Sequence, residues 1–226
     1  MNLRDIRVNR LAGDFPDETG VIQIGRVGTS LIRERRDDPI DPHSGSFSSV
    51  NFGIAHRIFG SEVNFTSLFA QTNRYRPLSG TVLATSLRFG WNHPLGETRI
   101  PITERYFAGG STTLRGFDLD RAVIVWNPKT AEYEPKRGGN VLSLANVEWR
   151  FPIPVHRSLG GALFYDTGTF FDQLSSFQFG DFTHTAGFGL RFLTGVGPVR
   201  VDLGYNLNRK PGEPIRQFFF TLGHTF

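Results

Sequence analysis

The sequence predicts an all-β fold, an antiparallel transmembrane β-barrel with nine or ten strands present and one unusually long loop. Three observations predict it. Apolar and polar residues alternate in segments close to the roughly 9–11 residues that cross a bilayer at a barrel tilt. Aromatic residues make up 13% of the chain, with 22 Phe, and Gly is frequent at 26 residues. There is no sustained helical periodicity, and no apolar run approaches the roughly 20 residues that a membrane-crossing helix needs.

The strands follow in order. Segments at 3–11 and 21–33 open the chain, and the alternation of the second slips near Gly25 to Gly28, as a bulge would make it do. A third runs over 47–58. Over 63–75, Val63, Phe65, Phe69 and Tyr75 oppose Asn64, Thr66, Thr72 and Arg74. Over 82–91, Leu83, Leu87, Phe89 and Trp91 oppose Ala84, Ser86, Arg88 and Gly90. Over 141–151, Val141, Ala145, Val147, Trp149 and Phe151 share a face with Ser143, leaving Leu142, Leu144, Asn146, Glu148 and Arg150 on the other. Strands at 161–171 and 185–193 precede the clearest case, 199–207. There Val199, Val201, Leu203, Tyr205 and Leu207 oppose Arg200, Asp202, Gly204 and Asn206. The last strand is 217–226. Turn residues separate them: Asp37-Asp38-Pro39, Gly60-Ser61, Leu78-Ser79-Gly80, Pro152-Ile153-Pro154, Gly195 to Pro198 and Lys210-Pro211-Gly212. Long and short connections roughly alternate, and the longest, 94–139, is of a length that usually carries function.

Alternation alone also suits a soluble sandwich whose apolar face meets a core. Strand number, strand length and aromatic content favour a membrane barrel, with the apolar face turned to lipid. The absence of Cys rules out disulfides and thiolate metal sites. The net charge of +4 is dispersed and argues against a nucleic-acid partner; KRGGN at 136–140 is a polar loop. The six His, at 43, 56, 93, 156, 184 and 224, lack ligand spacing. No nucleophile elbow, zinc-protease pair or phosphate loop is present, so neither an enzyme nor a cofactor is expected. The first residues lack the apolar core of a secretory signal.

The long loop carries Arg105-Tyr-Phe-Ala-Gly-Gly-Ser-Thr-Thr-Leu-Arg-Gly-Phe117. Gly109, Gly110 and Gly116 suit a backbone that turns tightly or packs closely, and Arg115 is a long cation between Leu114 and Gly116. This stretch resembles the signature loop of the outer-membrane protein assembly superfamily, the BamA/TamA/Sam-type barrels and their two-partner-secretion relatives. Further segments match in order. Ile32 to Pro42 with Gly45 is similar to the family's Arg-Asp…Pro…Pro…Gly turn. Gly139 to Pro154 resembles the strand after the signature loop. Leu163-Phe-Tyr-Asp-Thr-Gly168 resembles the Phe-x-Asp-x-Gly strand, and 187–192 and 197–205 resemble the penultimate strands. Phe218 to Phe226 fits the terminal signal strand. The likeness covers residues 20–226.

The resemblance implies a sixteen-stranded barrel preceded by periplasmic POTRA domains, located in the bacterial outer membrane. This chain is expected to be a single domain over 1–226, the C-terminal portion of such a barrel, starting inside a longer protein. The resemblance also implies that the signature loop (Gly109, Gly110, Leu114, Arg115, Gly116, Phe117) folds into the lumen and that Arg115 pairs with carboxylates there. The strand faces nominate Glu148 and Asp166, both inward on successive strands. Phe218, Phe220, Leu222 and Phe226 share a face of the terminal strand, which the resemblance makes a recognition signal and half of the barrel seam. The implied function is to help β-barrel proteins fold and insert. Expected partners are outer-membrane lipid, client barrel polypeptides, and periplasmic accessory subunits or POTRA domains. A two-partner-secretion pore and a passive structural barrel are the alternatives.

The lipid-facing alternation predicts that the chain folds only in detergent or bilayers. Circular dichroism and heat-dependent gel mobility should show β structure in micelles, and a monodisperse folded monomer in plain buffer would contradict the membrane reading.

Overall fold

The computed structural model describes residues 2–8, 20–194, 197–223 and 226. The strands are β1 (Asn2–Val8), β2 (Gly20–Glu34), β3 (Gly45–Ala55), β4 (Phe65–Leu78), β5 (Thr81–Pro94), β6 (Ile124–Asn127), β7 (Glu132–Pro135), β8 (Val141–Pro152), β9 (Leu159–Phe171), β10 (Thr183–Thr194), β11 (Gly197–Asn206) and β12 (Arg216–Leu222). Ten of them form one antiparallel sheet in the order β1-β2-β3-β4-β5-β8-β9-β10-β11-β12. Each strand thus pairs with its chain neighbour, except where the loop between β5 and β8 intervenes. Within that loop β6 and β7 make a separate hairpin, with Trp126 edge-on to Tyr133. The sequence pattern did not reveal this hairpin, because Asn127 to Tyr133 reads as polar loop.

The two faces of the sheet have opposite character. Val147, Trp149, Leu163, Tyr165, Phe188, Leu190, Phe218 and Phe220 project outward and are exposed. Asn146, Glu148, Arg150, Asp166, Thr185, Arg191, Arg200 and Asp202 project to the concave side and are buried. This inversion, with apolar residues outside and charges inside, is what a wall facing lipid requires.

One sequence expectation needs correction. The slip at Gly25 to Gly28 is not a bulge: β2 pairs with β3 without a register break from Arg26↔Ala55 to Glu34↔Phe47. These glycines answer a spacing constraint instead. A Cβ on Gly25 would lie 1.8 Å from the Phe59 carbonyl oxygen, and one on Gly28 would lie 2.7 Å from that of Phe52. Among the described residues β1 and β12 are the edges of the sheet and do not pair with each other. The long loop lies against the concave side, where Arg88 of β5 and Arg200 of β11 reach the same loop segment.

At the end of the sheet away from the long loop, the β2–β3 turn is organised by Asp37. Its carboxylate accepts N–H bonds from Asp38, His43 and Ser44, each at 3.0 Å. These bonds, that of Ser44 foremost, hold its carboxyl below the usual carboxylate value. A lowered folded-state pKa means the contribution is complete above the unfolded value, near 4, and is lost as pH falls through the lower folded value. Hydrogen-exchange protection factors over 38–44 should therefore be constant above about pH 5 and drop toward pH 2. Asp37→Ala should show the low protection at every pH; equal protection of the wild type at pH 6 and pH 2 would refute the assignment.

Candidate functional site

The concave side of the sheet is occupied by residues 95–140, the connection from β5 to β8. Its base is closed by paired bonds between Tyr106 and Gly139, at 2.8 and 2.9 Å. Burial pushes the Tyr106 phenol up to about 12, so it stays a neutral donor, to the Leu68 carbonyl and to Asn92 Oδ1, each at 3.3 Å. Deeper in, Gly110 N–H donates to Phe117 O at 3.0 Å, and Ala122 N–H to Ala108 O at 2.9 Å. Gly109 and Gly110 adopt φ of +117° and +102°, a backbone that side-chained residues rarely take. Thr113 Oγ1 spans this turn, accepting from Gly109 N–H and donating to Gly109 O. The loop has a core of its own: Ala108, Leu114, Phe117 and Ala122 pack on Leu142, Leu144 and Phe170 of the wall. That explains why β8 carries two leucines on its otherwise polar face.

Arg115 lies at the centre and is fully buried, as are Glu148 and Asp166. Its Nε and Nη2 donate to the two oxygens of Asp166, both at 2.8 Å, and its backbone N–H donates to Asp166 Oδ2 at 3.1 Å. Its Nη1 donates to Glu148 Oε2. The guanidinium stacks on Phe164, with Cζ 3.6 Å from the ring centroid. A planar fork that meets one carboxylate edge-on, a second end-on and a ring face-on suits arginine and not lysine. Burial works against the charge, but Asp166 and Glu148 outweigh it and hold the Arg115 pKa above its ordinary value.

The structure thus brings Arg115, Glu148 and Asp166 together, and it extends the set with residues that the sequence reading left unassigned. Glu148 also accepts from Arg150 Nε at 2.8 Å and Arg191 Nη2 at 3.0 Å. Arg191 Nη1 reaches Asp202 at 2.5 Å, and Asp202 lies 3.2 Å from Arg200 Nε. The loop carbonyls are held as well: Ser111 O by Arg200 at 3.0 Å, Thr112 O by Arg88 at 2.6 Å and Thr113 O by Asn146 at 2.6 Å. Gln217 of β12 donates to Asp118 at 2.6 Å. Gly204 is needed for close approach, since a Cβ there would lie 1.1 Å from Arg115 O. A glycine inside a strand signals such an approach, and the inward alternation of β10 and β11 signals the other charges. That Arg88 of β5 and Arg200 of β11 would also hold the loop could not be told from the pattern. Among the described residues, no three His, Cys, Asp or Glu are gathered in a way that could hold a metal.

In the terminal strand Phe218, Phe220 and Leu222 share the exposed outer face. Phe226 does not join them. β12 ends at Leu222, Gly223 takes φ +86°, and Phe226 turns to the concave side, where its carbonyl accepts from Tyr75 Oη at 2.7 Å.

The family model described as the Omp85 superfamily domain matches residues 10–226. The chain belongs to the Omp85 superfamily. Among its relatives is the outer membrane protein assembly factor BamA of Neisseria meningitidis serogroup B, 28% identical over 92% of this chain and 29% of that protein. The BamA of Nitratidesulfovibrio vulgaris is 23% identical over 94% of this chain and 28% of its own length. The sorting and assembly machinery component 50 homolog A of Xenopus laevis is 27% identical over 64% and 30%. The chain therefore spans under a third of these superfamily members. The crystal structure of BamA from Haemophilus ducreyi lacking POTRA domains 1-3 shares the fold, with a TM-score of 0.76 at 21% identity, over 92% of this chain and 44% of that one.

Removing one partner from a buried ionic cluster costs on the order of 3–5 kcal/mol. Arg115→Ala should release residues 105–120 to protease while the β content persists, and Arg115→Lys should release them in part. Gly204→Ala should do the same with every charge intact, by displacing Arg115 O. Equal protease protection in wild type and all three variants would show that the loop is anchored some other way.

Proposed function

We propose that residues 1–226 form one unit, the C-terminal part of an outer-membrane assembly barrel that helps other β-barrel proteins fold and insert. It works without a cofactor and catalyses no covalent step. The observation that carries this reading is the combination of an unpaired edge with a fixed interior. Among the described residues β12 has no second strand partner, so its outer edge carries unmatched backbone donors and acceptors beside an apolar outer face, and such an edge templates an incoming strand. The buried arginine cluster holds β5, β8, β9 and β11 to one loop, so the wall behind that edge is stiff. The names of the superfamily members above, two of them outer membrane protein assembly factors, support the same role. On this reading the partners are outer-membrane lipid, client barrel polypeptides, and POTRA domains or accessory subunits on the periplasmic side. A pore that passes a polypeptide through the lumen is disfavoured by the loop that fills it.

The test is client insertion in proteoliposomes carrying the complete reading frame. An unfolded client barrel should acquire heat-resistant gel mobility faster than with empty liposomes. A single Cys introduced at Phe218 of this Cys-free chain should cross-link to the client's last strand, and Arg115→Ala should slow insertion more than it lowers β content. A client that reaches the vesicle interior without inserting would favour transport instead.

A further inference from the structure

Arg115, Arg150, Arg191 and Arg200 meet Glu148, Asp166 and Asp202 in one buried network. Arg150 spends only Nε, on Glu148, and its Nη1 and Nη2 are buried with no hydrogen-bond partner; the same holds for Arg191 Nε. Both side chains are more than nine-tenths buried, at 9% and 7% exposure. Leaving such donors unmatched is costly, and a functional ligand is one of the usual reasons for it. The Arg150 guanidinium lies 5.7 Å from the Tyr75 ring centroid and 6.0 Å from that of Phe226, so its plane is supported on aromatic faces.

Arg150 and Arg191 both line a cavity of about 210 Å³ at the end of the wall where the β2–β3, β4–β5, β8–β9 and β10–β11 turns gather. Val82, Phe151, Pro152, Leu193 and Pro198 give it apolar sides, and Arg157 and Ser158 stand in the β8–β9 turn at its margin. Asp41 and His43 also border it, with the Asp41 carboxylate 4.0 Å from His43 Nε2.

We propose that this cavity binds a phosphate oxyanion. Two guanidiniums that border it hold three N–H nitrogens that no other protein group takes up, and a tetrahedral anion with several oxygens suits such a set better than a flat carboxylate with two. A third arginine in the turn adds charge without being part of the network. The apolar sides suit a phosphate carried on a hydrocarbon-bearing group, and the same donors would hold free phosphate. The inference stands on these residues alone and is independent of the assembly role.

The test is calorimetric titration of the full chain in maltoside micelles and chloride buffer, with inorganic phosphate, short-chain phosphatidylglycerol and hexanoate as probes. Saturable binding of a phosphate compound is expected, weakened at least tenfold in Arg150→Gln. Arg157→Glu lies outside the buried network and should also weaken it severalfold, so the idea stays testable if Arg150→Gln does not fold. Phosphate should raise the melting temperature of the wild type above that in chloride of equal ionic strength. Binding of inorganic phosphate assigns the free ion, and binding of phosphatidylglycerol alone assigns a lipid headgroup; either supports the site. Hexanoate binding as tightly as phosphate, affinity unchanged in both variants, or no binding at all would overturn it.

Discussion

The fit of Arg115 into the carboxylates of Asp166 and Glu148 is the contact on which the rest of this structure depends. It joins a loop with few backbone bonds of its own to the wall at two adjacent strands. The wall in turn would carry buried carboxylates without it. Neither half is self-sufficient: a buried ion pair contributes little net stability, yet breaking it is expensive because the remaining charge stays behind. The arrangement therefore favours geometric specificity over stability. It places one loop in one position and penalises every alternative.

From that contact the inner organisation follows. The loop tip sits where Leu114 and Phe117 can pack against Leu142, Leu144 and Phe170, so the inner face is apolar beneath the plug. Beyond it the inner face is an ionic belt running across β8, β10 and β11. The loop carbonyls of Ser111, Thr112 and Thr113 are each met by a different strand. Backbone that would otherwise be stranded without partners inside the wall is satisfied by side chains of the wall itself.

Much of this was legible in the sequence because one face of each strand must meet an apolar medium. Alternation at 141–151 and 161–171 told which side chains point inward, and hence that Glu148 and Asp166 share a compartment. The superfamily motif supplied the cation that belongs among them. What remained illegible depends on distance rather than period. The β6–β7 hairpin has strands of four residues, too short for alternation to register. Gly25 and Gly28 looked like a break in pattern but answer a packing constraint from backbone far along the chain. Phe226 continued the aromatic repeat on paper, while the φ of Gly223 redirects the chain before the repeat can be used.

The bond from Tyr75 Oη to the Phe226 carbonyl bears on how the edge strand can move. β4 and β12 stand far apart in the order of the sheet, so this bond ties the tail of the chain to the opposite flank like a guy-line. β12 cannot swing away from the wall, or accept a partner that needs the tail's space, without first slipping that tether. A single phenol hydroxyl thereby sets a threshold on the mobility of an edge strand, and the aromatic residue that follows it serves as an anchor rather than as lipid-facing surface.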